Sequence, residues 1–486
     1  MDFACAYSWW KESLGLELTP MATPNGLERR TVRQQVERVR DEARRLWRRA
    51  QRSLRRRLTW SWIYGATSYS RSALWIVPFF AIAAVFVAVP ILRALDGWIG
   101  WRLTDLGLHG AQTLYETVIT LNLSFLVFTF GSLLVAIQVA GGQLTPRVIA
   151  TTLLRDNVVR YSVGLFVFAL IFTVRALNRL GDIRQELVTL LIAMLGLASL
   201  VTFLFLIDYA ARLLRPVSIL ARIAEEGLRV IKSQYQPLPP GADDSAADDI
   251  HIDEGTRRVV YHEGQSGIVL AIDMQALTRL ARRARGVVEF VPQVGDFVTP
   301  DDPIFILHGG AASIDDAHLR TAVAFGPERT MEQDPLFSFR IMVDIGLKAL
   351  SPAINDPTTA VLAIDQIHRL LRTVGKQRLH GGPVLDGLGH PRLVHRRPTW
   401  QDFVHLSCTE IRAYGASNVQ VARRLRAMLD NVMATLPAYR HPELLAERGR
   451  LDQAIRTAFP LADDLALASI PDSQGLGGSR GNRSSK

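Results

Sequence analysis

Four apolar runs crowd residues 72–208, and they constrain the fold more than any other feature of the 486-residue chain. They cover residues 72–92, 117–140, 161–177 and 187–208. About 20 consecutive apolar residues suffice for a helix to cross a bilayer. A soluble helical core can hide one such run, but four in close succession point to a membrane. The expected architecture is a four-helix transmembrane region over 72–208. Arg175 sits near the end of the third and shortest run, where a long side chain can reach the interface.

Flanking charge sets the orientation. Fifteen Lys or Arg residues precede the first run, whereas residues 93–116 carry only Arg93 and Arg102. Positive charge stays inside, so the N-terminus is expected in the cytosol. An even number of spans returns the chain there, which makes the rest a cytosolic domain and puts both termini on the cytosolic side. The first twenty residues lack the basic start and apolar core of a signal peptide. Met21 opens a more ordinary polar stretch, so either Met1 or Met21 serves as the start.

Composition fits this division, with 48% hydrophobic and 21% charged residues. The net charge of +10 is carried mostly by arginine, since lysine occurs only at positions 11, 232, 348, 376 and 486. Clusters of arginine are therefore more informative than the total. Thirteen lie between Arg29 and Arg57, opposite an apolar face formed by Val32, Val36, Val39, Ala43, Leu46, Ala50, Leu54 and Leu58. Such a helix suits the anionic inner leaflet, at about 1 kcal/mol per well-placed basic residue. It equally suits packing on the cytosolic domain or a coiled coil. No nucleic-acid fold signal accompanies the charge, so nucleic acid is not an expected partner.

The second run is unusually polar. Thr117, Thr120, Ser124, Gly131 and Gln138 share one helix face, and Gln143 follows it. Small and hydroxyl-bearing residues on one face let helices approach closely. The same face can instead line a water-filled path. No ionisable residue lies inside this run, which argues against a proton relay there.

Beyond the membrane the expected organisation is a mixed α+β cytosolic domain. Residues 1–71 form the basic N-terminal segment, 209–236 a helix at or below the membrane surface, and 237–255 a linker. Residues 256–308 read as a small β-rich subdomain (barrel or sandwich), 309–468 as helical, and 469–486 as a disordered tail. The acidic group Asp243, Asp244, Asp248 and Asp249 lacks the pattern of a calcium loop and reads as solvated linker.

Chemistry-bearing motifs are missing. No phosphate-binding loop, zinc-protease helix or nucleophile elbow occurs. Eleven histidines are scattered without ligand spacing, and the two cysteines, Cys5 and Cys408, suit free thiols in a reducing compartment. No metal, cofactor or catalytic constellation is expected.

The stretch SPAINDPTTA, residues 351–360, stands out. Asp356–Pro357 forms an N-cap and first-turn pair, as Asp334–Pro335 does one helix earlier. Ser351–Pro352 forces the chain out of the preceding helix. Capping leaves Asn355, Ser351 and Lys348 unexplained, so the corner reads either as architecture or as a site for an anion or a partner subunit.

Together, GSLLVAIQVAGGQLTPRVI, VDIGLKALSPAINDPTTAVLAIDQI and EIRAYG resemble a family of bacterial predicted membrane proteins classed as a domain of unknown function. Its signature is DIALRALSPAINDPFTA, and the resemblance covers about residues 60–465. Lys348 stands where that pattern has arginine, losing the guanidinium fork. Thr358 stands where an aromatic residue often occurs. The resemblance implies topology and location, a multi-pass protein of the bacterial inner (plasma) membrane, and brings no activity. Three function classes remain: a homo-oligomeric channel or transporter with a cytosolic regulatory domain, a non-transporting membrane-anchored sensing or interaction protein, and, least favoured, an enzyme. The polar face of the second run tilts the balance towards the channel.

Overall fold

The structure, a computed structural model, describes residues 60–99, 107–143, 156–178, 186–213, 215–239, 244 and 256–477. The basic helix, the choice of start and most of the acidic linker lie outside these residues.

Among the described residues, five helices build the membrane end: α1 (Trp60–Ser72), α2 (Ile76–Ile99), α3 (Leu108–Gln143), α4 (Asn157–Leu177) and α5 (Glu186–Leu213). Among the described residues, three segments are long and apolar enough to cross a membrane: Leu108–Val139, Asn157–Leu177 and Glu186–Leu213. The first expected span, 72–92, is shorter. Its apolar part is Ile76–Leu92, because a turn at residues 73–75 detaches the start of the run and places Ser72 in α1. At 1.5 Å per residue those 17 positions reach about 26 Å, against about 30 Å of hydrocarbon.

Small residues let these helices close on one another. A Cβ at Gly164 of α4 would come within 2.7 Å of Val77 in α2, and one at Gly196 of α5 within 2.8 Å of Val118 in α3. Aromatic contacts fill the seams, with Phe125 stacked on Phe203 at 4.2 Å and tilted against Phe166 at 5.6 Å. Near the end of α4, the Arg175 guanidinium lies 4.6 Å from the centre of the Phe86 ring.

Helix α6 (Pro216–Gln234) follows the last apolar helix and packs into the protein. Ile219, Leu220, Ile223, Ala224, Leu228 and Ile231 are buried in the main helical core. Its partners there are α9 (Pro335–Ala349) and α10 (Pro357–Val374), joined by α11 (Trp400–Gly415), α12 (Val419–Thr435), α13 (His441–Ala458) and α14 (Ala462–Ala468). The amphipathic stripe of α6 is the reason: one whole face is apolar and packs into this core.

Beside this core lie two sheets. Strands β1 (Arg257–Tyr261), β5 (Pro303–Gly309), β3 (Gly286–Phe290), β8 (Pro391–His395) and β7 (Val384–Leu385) form one, in that order. Strands β4 (Phe297–Val298), β2 (Gly267–Ile272) and β6 (Val323–Gly326) form the other. Among the described strands only β3 and β8 pair in parallel, with Val288 opposite Leu393. Inward residues of both sheets share an apolar core with α7 (Met274–Ala284), while α8 (Asp316–Arg320) precedes β6. The sheets thus draw on more chain than residues 256–308, since β6, β7 and β8 come from beyond that stretch.

Two further expectations change. Asp244, read as solvated linker, is buried and ion-paired with Arg440; its carboxylate also accepts from the backbone N–H of Leu379 at 2.9 Å. The start of the tail is ordered around Arg423 of α12, which is 1% exposed and donates to the carbonyls of Ile470 and Gly477 at 3.1 and 2.8 Å. Asp472 accepts from the N–H groups of Gln474, Gly475 and Gly477. Composition predicts low apolar burial there but does not register backbone carbonyls satisfying a buried guanidinium.

Candidate functional site

The polar stripe on α3 faces away from the other described helices. Thr117, Thr120, Ser124, Gly131 and Gln138 are all exposed, and a Cβ at Gly131 would meet nothing within 4 Å. The three hydroxyls turn back on their own helix: Thr117 donates to Thr113 O at 2.7 Å, Thr120 to Glu116 O at 2.9 Å and Ser124 to Thr120 O at 2.8 Å. Gln143 is the last residue of α3. The buried face carries a different polar set, Tyr115, Asn122 and Thr129, spaced by sevens. Tyr115 shares a 2.8 Å hydrogen bond with Thr189 of α5. Asn122 Oδ1, Thr129 Oγ1 and Ser199 Oγ have no partner. A heptad count from Tyr115 could have revealed this second stripe.

At the SPAINDPTTA corner several polar groups contact the backbone. Asp356 caps α10 by accepting from the Thr359 N–H at 3.1 Å and hydroxyl at 2.5 Å, and its own N–H reaches Ala349 O at 2.8 Å. Ser351 spends its hydroxyl on Lys348 O at 2.7 Å, while Lys348 is exposed. Asn355 is exposed and has φ +48°, the left-handed region that asparagine tolerates better than other non-glycine residues. That conformation accounts for the asparagine without a ligand. The resembling segments do meet: Arg340 of α9 grips Glu410 of α11 through two hydrogen bonds of 2.7 and 2.8 Å.

A polar cluster unmarked by any motif ties the apolar helices to α6. Asp156 caps α4, accepting from the N–H groups of Val158 and Val159 at 2.9 and 3.2 Å. Its other oxygen accepts from the Tyr209 hydroxyl of α5 at 2.5 Å and from Arg222 of α6 at 2.8 Å. Arg222 also donates to the Tyr209 oxygen at 2.6 Å. Three helices therefore converge on one carboxylate whose side chain is 4% exposed. The sequence signal is an aspartate shortly before the third apolar run, followed much later by an arginine on an amphipathic helix.

At the other end of α6 a cleft of about 860 Å³ opens against the β7–β8 edge. Lys232, Arg378, His380 and Arg397 line it, with Tyr235 and Met274 as apolar wall. Its one lining carboxylate, Asp244, is committed to Arg440. Burial holds the Arg397 guanidinium below its ordinary value. Its Nε donates to His395 Nε2 at 2.9 Å. Burial, then the neighbouring Arg397 charge, pushes His395 down to about 4, so its ring is neutral at pH 7. With Nε2 accepting, Nδ1 carries the proton, and that buried nitrogen has no partner. Among the described residues no group of three or more His, Cys, Asp or Glu side chains is placed to hold a metal. Cys408 is fully buried, and burial raises its thiol far above the ordinary range.

Residues 71–431 match the family model described as "Predicted membrane protein (DUF2254)". An uncharacterized protein of Mycobacterium bovis is 24% identical over 391 residues, spanning 75% of this chain and 72% of its own length. An uncharacterized protein of Mycobacterium tuberculosis strain H37Rv matches to the same extent. No solved structure matches the chain significantly. With apolar helices long enough to span a bilayer, a mixed helix-and-sheet region behind them and a family match over most of its length, this chain belongs to the DUF2254 family of predicted membrane proteins.

Proposed function

We propose that this protein is a membrane-anchored sensing protein of the bacterial inner membrane, in which α6 relays the state of a cytosolic domain to the spans. The observation that carries this reading is the Asp156–Tyr209–Arg222 cluster. A passive anchor needs only a tether. Here two membrane helices and one core helix share a buried carboxylate, and changing its occupancy changes how three helices meet. In this reading α2 completes four spans, both termini lie in the cytosol, and the basic segment over 31–58 rests on the anionic leaflet. No catalytic role is assigned.

Hydrogen exchange on the protein in vesicles tests the relay. Arg222→Ala should raise exchange at residues 157–163 and 205–213 while leaving α9 and α10 protected. Unchanged exchange at those span ends would mean the cluster transmits nothing.

A homo-oligomeric channel is the second reading, favoured by the outward stripe on α3. A ring of copies could turn Thr117, Thr120, Ser124 and Gln138 towards a shared axis. Background ion flux through liposomes holding intact oligomers would remove it.

A further inference from the structure

We propose that the cleft between the C-terminal end of α6 and the β7–β8 edge binds a phosphate-bearing small molecule of nucleotide size. The first ground is charge. Lys232, Arg378 and Arg397 line the cleft, and none has a carboxylate partner among the described residues. The basic side chains elsewhere in the helical core are treated differently: Arg340, Arg412, Arg424 and Arg440 each meet an acid. Unpaired cations around a concave surface raise the local concentration of anions.

The second ground is how Arg397 is held. Its Nε is fixed by His395, and Gly381 lies so close to it that a Cβ there would approach the guanidinium carbon to 2.9 Å. This clamps the stem of the fork and leaves its two terminal nitrogens for a bidentate acceptor, the geometry suited to phosphate. A smaller recess shares Gln234, Tyr235, Met274 and Arg397 with the cleft and is lined by His395, whose Nδ1–H is an unused donor. A group in this position meets the Arg397 fork as its charged donor.

The third ground is size and wall. A volume of about 860 Å³ falls within the range of small-molecule sites and far exceeds what one inorganic phosphate fills. Tyr235, Met274, Val384 and Leu385 give one side an apolar surface, as a ligand with a planar or apolar part requires. Binding stands apart from the relay, but its consequence for the membrane rests on that reading. About 18 Å of α6, from Arg222 to Gln234, separate the cluster from the cleft.

The experiment is calorimetric titration of the full chain in nanodiscs with ATP and, separately, inorganic pyrophosphate. Saturable binding is expected, weakened ten-fold or more by Arg397→Ala. Arg397→Lys should fall in between, since it keeps the charge and loses the fork. Lys232→Ala, an exposed change that leaves the core intact, should weaken binding several-fold. Arg372→Ala, on a separate basic surface of α10, should leave it unchanged. No heat from either probe at millimolar concentration would overturn the site. So would equal losses in the Lys232 and Arg372 variants, which would show diffuse charge attraction. Binding without any change in exchange at residues 157–163 would leave the site standing and remove the relay.

Discussion

In the C-terminal region Arg440 meets Asp244 in the interior, and the fully buried Glu447 accepts from Arg412 at 2.6 Å and Arg450 at 2.9 Å. In the membrane helices Asn122, Thr129 and Ser199 are just as deeply buried, yet each keeps a polar oxygen without a partner. The first region is fixed by charges that cannot be separated cheaply. The second closes on apolar and aromatic contacts, and no charge pins these three oxygens; unpartnered buried polar atoms occur in both regions, Gln377 Oε1 and Arg440 Nε among them, so the ion pairs make the difference. A region of the first kind holds one conformation, while a region of the second kind can shift without breaking strong bonds. The Asp156 cluster joins the two, so rearrangement on one side meets a rigid body on the other.

Arg440→Ala should break this contrast most severely. It leaves the Asp244 carboxylate buried with the backbone N–H groups of Leu379 and His380 and the His380 ring nitrogen 3.6 Å away, and removal of one partner from a buried pair costs about 3–5 kcal/mol. Thr129→Val is the counterpart in the membrane helices. It removes a hydroxyl that has no partner, so stability should hold or rise slightly. Denaturant unfolding in detergent measures both, and similar losses for the two variants would erase the distinction.

Acid should loosen the cleft wall next. His395 is neutral in the fold down to about pH 4, whereas an ordinary histidine takes up its proton near 6.5. The unfolded chain therefore binds more protons between those values. Stability from this residue is intact above pH 6.5 and is lost as pH falls towards 4, by at most about 3 kcal/mol. The stability difference between wild type and His395→Gln, followed from pH 7 to 4.5, isolates it; parallel curves would contradict the buried neutral ring.

Asn355 offers a finer cut. Asn355→Ala places a Cβ without a compensating amide at φ +48° and should cost about 1 kcal/mol, whereas Asn355→Gly should be near neutral. If glycine proves as costly as alanine, the side chain has a role beyond its backbone conformation, and the corner returns as a site.

These cases show why some of the molecule was legible in the sequence. Apolar run length and the Asp–Pro pairs are local signals, and α3, α4, α5 and the caps of α9 and α10 follow from them directly. The SPAINDPTTA corner was visible too, but its asparagine is explained by a torsion angle, which composition does not report. Asp156, Tyr209 and Arg222 are separated by up to 66 positions, and the cleft is assembled from α6, the 378–385 loop and Arg397. Each residue is unremarkable alone. Juxtaposition across the helical core makes them a cluster, and pattern within one segment cannot register it. Asp244 was misread for the same reason, since its partner lies 196 positions away.

The smallest expected effect on the isolated chain bears most on the membrane half. Gly131 faces open space, so Gly131→Leu meets no steric obstacle within the protomer, and leucine favours the helix over glycine. Stability of the detergent-solubilised monomer should change by no more than about 1 kcal/mol, and upwards. If α3 uses its stripe against a second copy, the added side chain prevents close approach there, and cross-linked oligomer in vesicles should fall sharply. Thr129→Val, on the opposite face of the same helix, should leave that oligomer intact. Loss of cross-linking by both variants would point to a general disturbance of α3. Loss by neither would turn the stripe to lipid, its hydroxyls already satisfied by their own helix, and the channel reading would lose the feature that favours it.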